Sequence, residues 1–227
     1  MTGTSAQKVN KKALLREESI YRLTQAAFRI VVSKGYQACT LQEIAEAAGL
    51  TKGAVYFYFE SKENLLLHLL DVAEKDIVDP LFDHLKNLSA PAAEKIAAFF
   101  KFTSRQGIDR PDELLCLIKM SIESRSSTEV ADVKISAIYQ RIYRMLEEII
   151  ERGKLAGELA TTLPTKEFAM LVVATHDGMM LEWHRRGGNI DGRLFVRTVW
   201  QTFLNGIVPP PPVDPHLRPY VLFADRS

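Results

Sequence analysis

Residues 40 to 65, TLQEIAEAAGLTKGAVYFYFESKENL, constrain the fold more than any other stretch, because three helix starts and one helix stop follow in close succession. Thr40 precedes Leu41, Ile44, Ala45 and Ala48, an apolar stripe at helical spacing, and Glu43 stands three residues after it, which together make a candidate capping box. A helix is expected from Leu41, stopping at Gly49, since glycine adopts the left-handed conformation that ends helices; Leu50 then turns back to the core. Thr51 is the next N-cap and opens a short helix to about Tyr58, and Ser61 caps another that begins at Lys62. Short helix, glycine turn, short helix is the pattern in which the second helix enters the major groove of DNA.

The second short helix has residues suited to that task. Lys52, Gly53 and Ala54 are basic or small and let the backbone approach base edges, while Val55 and Phe59 fall on the buried side. Tyr56 and Tyr58 bring hydroxyls that can bond phosphates, Lys62 brings a full charge, and the helix starts at Thr51 and Ser61 offer backbone N–H groups. The aromatic run Tyr56 to Phe59 is equally consistent with plain core packing.

These residues resemble the N-terminal domain of the TetR family of bacterial transcriptional repressors. The shared pattern is the threonine-capped helix at Thr40, the turn at Gly49, the small-residue helix Thr51 to Val55, Tyr56 with Phe59, and the helix start Lys62, Glu63, Leu65. The match spans roughly Glu17 to Leu70. It departs where a histidine is frequent just before the phenylalanine and this chain has Tyr58, which can still bond a phosphate. The resemblance implies DNA contacts from Thr40, Thr51, Lys52, Gly53, Ala54, Tyr56, Tyr58 and Lys62. It also implies that the helix from Lys62 is the lever through which a ligand in the body re-spaces two heads.

With 227 residues, 47% apolar and 25% charged, the chain is an ordinary globule, and its net charge of +1 requires any DNA binding to come from a local patch. Lys8, Lys11, Lys12 and Arg16 supply one ahead of the first helix. Cys39 and Cys116 lie far apart without metal-ligand spacing, which fits a reducing cytoplasm; no metal or cofactor is expected. No run of about 18 apolar residues offers a membrane span, and a soluble cytoplasmic protein is expected.

Residues 1–13 read as a basic flexible arm, and 14–61 as the DNA-binding head, whose first helix runs from about Leu14 to Ser33. The helix from Lys62 to about Val78 links head to body, with Asp79 and Pro80 interrupting it. Through residues 62–207 the periodicity stays helical, without strand-like alternation, so the whole is all-α: a three-helix head plus a helical body for ligand binding and dimerisation. Helical segments are expected at Leu81–Leu88, Pro91–Gly107, Pro111–Arg125, Thr128–Lys154, Thr165–Arg186 and Gly192–Ile207, with Gly107, Gly153, Gly157, Gly187 and Gly188 as ends. Residues 208–227, with Pro209 to Pro212, Pro215 and Pro219, form a tail that cannot be helical.

The helix from Thr165 is apolar on every side over Phe168 to Ala174, so it needs cover from its own subunit and from something else. A four-helix contact in a homodimer is the economical solution, using Phe168, Leu171, Val172, Gly178, Val199 and Phe203; an internal helix pair in a monomer is the alternative. The family's use of its last two helices, around an Asp-Gly pair matched by Asp177 and Gly178, implies the dimer.

No phosphate loop, nucleophile elbow or zinc-type histidine spacing occurs, so catalysis is not expected and His176 reads as a core histidine. A mostly apolar effector pocket can be assembled from Phe99, Phe102, Leu117, Met120, Ser121, Ser124, Tyr139, Tyr143, His176 and Met180, each of which is also an ordinary core residue. The resemblance raises the set, because such bodies hold a small hydrophobic effector. The expectation is therefore a homodimeric repressor of a palindromic double-stranded operator. A helical ligand-binding or scaffold protein without DNA function is the alternative.

Overall fold

The computed structural model describes residues 3–123, 129–160, 162 and 164–207. Its elements are α1 (Gly3–Lys34), α2 (Leu41–Ala47), α3 (Lys52–Phe59), α4 (Lys62–Ala73), a π turn (Glu74–Val78), α5 (Asp79–Asn87), α6 (Ala92–Asp109), α7 (Pro111–Glu123), α8 (Glu129–Leu155), α9 (Thr165–Arg185) and α10 (Gly192–Ile207). Among the described residues there is no strand. The Pro-rich tail expected over 208–227 lies outside them, as does Ser124.

The three short starts of the head are made by the expected side chains. Thr40 Oγ1 accepts the Glu43 N–H at 3.2 Å while Glu43 Oε2 accepts the Thr40 N–H at 2.9 Å, the two halves of a capping box. Thr51 Oγ1 accepts from the Ala54 N–H at 3.2 Å, and Ser61 Oγ from the Asn64 N–H at 3.0 Å. Gly49, at φ +64°, reverses the chain after α2, and the Leu50 N–H returns to the Ala45 carbonyl at 2.9 Å. The Arg22 guanidinium, from α1, bonds the Ala48 carbonyl and places a cation at the C-terminal end of α2.

Three expectations need correction. First, α1 begins at Gly3, not Leu14. No proline separates the basic segment from the helix, and its Ala, Gln and Lys residues are good helix formers. Second, Asp79 and Pro80 do not interrupt the lever. The π turn takes up the mismatch, with the Asp79 N–H reaching the Glu74 carbonyl, and Pro80 sits in the first turn of α5, where its missing N–H is not needed. Third, Gly107 and Gly153 lie inside helices. A Cβ at Gly107 would stand 2.5 Å from Met180 Cε, so this glycine makes room for a side chain of α9.

One hydrophobic core runs through head and body. In the head it holds Leu23, Phe28, Ile44 and Val55, and Leu65 and Leu69 of α4 continue it into the body. In the body, α8 contributes Ile135, Ile138, Ile142, Leu146 and Ile150, one stripe at steps of three and four that packs against α6, α7 and α9. Helix α7 is central, packing against α1 and α4 on one side and against α6, α8 and α9 on the other.

Candidate nucleic-acid interface and internal cavity

The outer face of α3 follows from which residues its packing consumes. Val55 is wholly buried and Phe59 nearly so, at 7% exposure. Lys52, Gly53, Tyr56 and Phe57 are left facing outward, with Thr51 and Thr40 exposed at the two helix starts. Ala54 and Tyr58 sit half-buried at the flanks. The Lys52 ammonium lies 5.8 Å from the centre of the Tyr56 ring, so charge and hydroxyl are presented together. Lys62 is placed differently. Its ammonium donates to the Gln37 carbonyl at 3.1 Å and lies 4.5 Å from the centre of the Tyr36 ring, which ties it to its own head.

Phe57, not among the residues expected on this face, is 77% exposed. The signal was present: Phe57 lies four residues after Gly53, on the same side of the helix.

In the body, a cavity of about 30 Å³ opens between the π turn, α5, α6, α7, α8 and α9. Of the residues expected to line it, Phe99, Leu117, Tyr139 and His176 do. The others do not, each for a local reason. Phe102 turns to stack on His84 at 5.0 Å, Ser121 bonds the Ile118 carbonyl at 2.7 Å, and Met180 fills the space over Gly107. Met120 is fully buried and Tyr143 half-buried, both off the cavity wall. Ile77, Val78, Leu81, Thr103, Leu114, Ile118, Ile142, Val173 and Asp177 complete the lining, none of them among the residues expected there from sequence.

The polar part of the wall is a short chain. Tyr139 donates to Asp177 Oδ2 at 3.4 Å, and His176 Nδ1 lies 3.0 Å from Asp177 Oδ1. Burial, and next the Asp177 carboxylate, push the Tyr139 phenol well above its ordinary pKa, so it stays a donor. His176 Nε2 is buried and has no hydrogen-bond partner among the described residues. Leaving such an atom unpaired costs about 1–3 kcal/mol. A larger open trough, of about 620 Å³, lies between α1, α4 and the α6–α7 corner. Glu17, Asp76, Asp109, Asp112 and Glu113 line it against Arg110, which suits it poorly to an anionic ligand.

Two sets of polar contacts tie the cavity's walls to their surroundings, one to the head and one to α4, the π turn and α5. On α7, Lys119 Nζ donates to the Val32 carbonyl at 2.6 Å and Glu123 Oε2 accepts the Tyr36 N–H at 2.9 Å, so α7 grips the end of α1. Along the lever, Arg110 meets Asp76 at 2.7 Å, Lys134 meets Asp71 and Glu74, and Arg141 meets Glu74 and Asp79.

On the outer side of α9, Met170, Leu171, Ala174 and Gly178 are exposed, and space around Gly178 is open. Phe168 and Val172, expected at an interface, instead face their own core. Phe203 packs on Phe100 at 5.3 Å and on Phe168 at 6.0 Å, and Val199 is half-buried against the same core. The helix is apolar all round, but only the Leu171 side is free.

Cys39 and Cys116 are both buried and unpaired, and among the described residues no cluster of His, Cys, Asp or Glu could hold a metal ion. Nor is any described helix long and apolar enough to cross a membrane.

A capped, glycine-turned pair of short helices braced by α1, on an all-helical body, defines a helix-turn-helix DNA-binding regulator. Residues 23–69 match the family model described as bacterial regulatory proteins, tetR family, and residues 77–206 match that of the YsiA-like protein, C-terminal region. The chain belongs to the TetR family and is a ligand-responsive DNA-binding repressor. It is similar to the MbdR regulator from Azoarcus sp. CIB, with 34% identity and a TM-score of 0.77 over 84% of this chain and 100% of that one. The fatty acid metabolism regulator protein of Bacillus subtilis is 24% identical over 82% of this chain and 94% of its own length. A crystal structure of the transcriptional regulator FadR from Bacillus subtilis in complex with stearoyl-CoA has the same fold, with 22% identity, a TM-score of 0.68, and coverage of 82% of this chain and 98% of that one.

Proposed function

We propose that the protein is a cytoplasmic homodimeric repressor that binds a palindromic operator through two heads (residues 14–61) and is released when an acyl-CoA enters the body (62–207). The exposed face of α9 carries the dimer reading. Met170, Leu171 and Ala174 form an apolar strip beside the open surface at Gly178, and a second copy of the same strip covers it by two-fold symmetry. Thr40, Thr51, Lys52, Gly53, Ala54 and Tyr56 then meet the duplex, with Tyr58 and Lys62 supporting the helix rather than leading the contact. The effector class rests on the fatty-acid regulator and the stearoyl-CoA complex among the relatives, and on an apolar cavity with one polar chain.

Size dictates the mechanism. A space of about 30 Å³ holds one water-sized group, whereas ligand pockets run to about 300–1,000 Å³. An acyl chain therefore enters by moving walls, and Leu114, Leu117 and Ile118 place α7 among them. Displacing α7 pulls on Lys119 and Glu123 and so on the end of α1, while displacing the π turn moves the lever. Only a ligand that binds the displaced arrangement more tightly can shift the population.

The test is a selection of duplexes from random sequence with the full-length protein, followed by salt titration of those recovered and challenge with acyl-CoAs of graded chain length. A palindrome with steep salt dependence, released by acyl-CoA but not by free CoA, is expected. A non-palindromic site would overturn the dimer reading, and indifference to every acyl-CoA would overturn the effector class.

A further inference from the structure

The most outward side chain of the DNA-reading helix has no hydrogen-bonding group. At about 100° per residue, Phe57 lies about 200° around α3 from both Val55 and Phe59, the two residues that mark its buried side. It therefore stands close to opposite the core. One turn earlier on the same row is the exposed Gly53, where a Cβ would meet only Thr51 Oγ1, at 3.8 Å, so the helix surface beside the ring is bare backbone. Among the described residues the ring's one aromatic neighbour is Tyr58, edge-on at 5.1 Å. Lys52 and Tyr56, which can hold phosphates, flank it.

A phenyl ring cannot read the donor and acceptor pattern of a base pair. The apolar feature that the major groove offers is the thymine 5-methyl group. We infer that Phe57 is a specificity-determining residue that selects thymine by apolar contact with its methyl group, at one position or more in each half-site. Gly53 contributes by letting α3 sit deep enough for the ring to arrive. The flanking Lys52 and Tyr56 fix the depth through the backbone and carry no sequence information themselves.

Replacing each thymine of the selected duplex singly by deoxyuridine deletes only a methyl group. The wild-type protein is expected to lose about fourfold in affinity at the contacted thymine, the factor associated with burying one such group. Phe57→Ala should lose nothing further at that thymine, whereas Phe57→Leu, which keeps an apolar tip, should stay sensitive. Measurement at reduced salt keeps the Phe57→Ala complex tight enough to read, since phosphate contacts strengthen there. Unchanged thermal midpoints, expected for so exposed a residue, separate this effect from misfolding. Equal losses in wild type and Phe57→Ala at every thymine, or no loss in the wild type at any, would overturn the assignment and leave Phe57 a contact to the sugar-phosphate backbone.

Discussion

The outward-facing residues of the head stand on helices whose starts are fixed by side-chain hydrogen bonds spanning three positions, whereas the residues that line the body's cavity are drawn from six separate elements. Thr40, Thr51 and Ser61 each fix a helix start from inside the same short segment. Phe99, Tyr139 and His176 instead meet across α6, α8 and α9, and the hydrogen bond that ties Tyr139 to Asp177 joins two separate helices. A site built locally stays rigid when its surroundings change, and a site built from afar moves when they do. That division suits a rigid reader joined to a deformable sensor.

The sharpest way to break the comparison is to disrupt the proposed two-fold contact, through which two rigid heads would gain a common spacing. Replacing Leu171 and Ala174 together by Glu puts charge on the exposed strip while leaving the buried face of α9 intact. Sedimentation velocity is expected to show monomers, with operator affinity lowered about a hundredfold through loss of the second half-site. A double variant that remained dimeric would move the interface elsewhere and leave the strip on α9 unexplained.

The same division governs what the sequence made legible. The capping box, the stop at Gly49 and the start at Lys62 could be read because each is a pattern of a few adjacent residues. So could the all-α body, since α8, α9 and α10 carry their period within themselves. The cavity wall could not. Phe102, Met180 and Tyr143 have the same chemistry as the residues that line it, and only packing against His84, Gly107 and their neighbours decides which way each one points. Phe168 and Val172 were misassigned to an interface for a related reason, because a helix apolar on every side does not announce its free face. The π turn at Glu74–Val78 escaped because Pro80 reads as a breaker when nothing in sequence shows that the preceding turn can widen.

His176 sharpens the comparison on the sensor side, with a smaller effect. Replacing it by Leu removes the unpaired Nε2, relieving about 1–3 kcal/mol, and also the contact with Asp177, which is worth about 1 kcal/mol. The thermal midpoint of the free protein should therefore hold or rise slightly. Release from the operator by acyl-CoA should instead need about tenfold more ligand, within the usual range of allosteric couplings. A midpoint that dropped by several degrees, with release unchanged, would make the imidazole a structural core residue and the polar chain irrelevant to the effector.

The smallest effect tests whether the head's rigidity is as local as its hydrogen bonds suggest. The Lys34 ammonium, followed by the hydroxyl and N–H of Thr40, holds the Glu43 carboxyl at a pKa of about 2, below its ordinary value of 4.5. Because the folded value is the lower one, the capping box contributes fully above about pH 4.5, and its contribution is lost as pH falls through the folded value near 2. Glu43→Gln keeps an acceptor for the Thr40 N–H but has no charge to titrate. Between pH 5 and pH 3, by a rough choice of window around the shift, the wild-type thermal midpoint should fall slightly more than that of Glu43→Gln. The pair is exposed to solvent and the difference will shrink in high salt. Parallel curves at low salt would mean that α2 is held by its packing on α1 and α3, as the body's helices are held by theirs, and the contrast between a locally fixed reader and a remotely fixed sensor would lose its clearest instance.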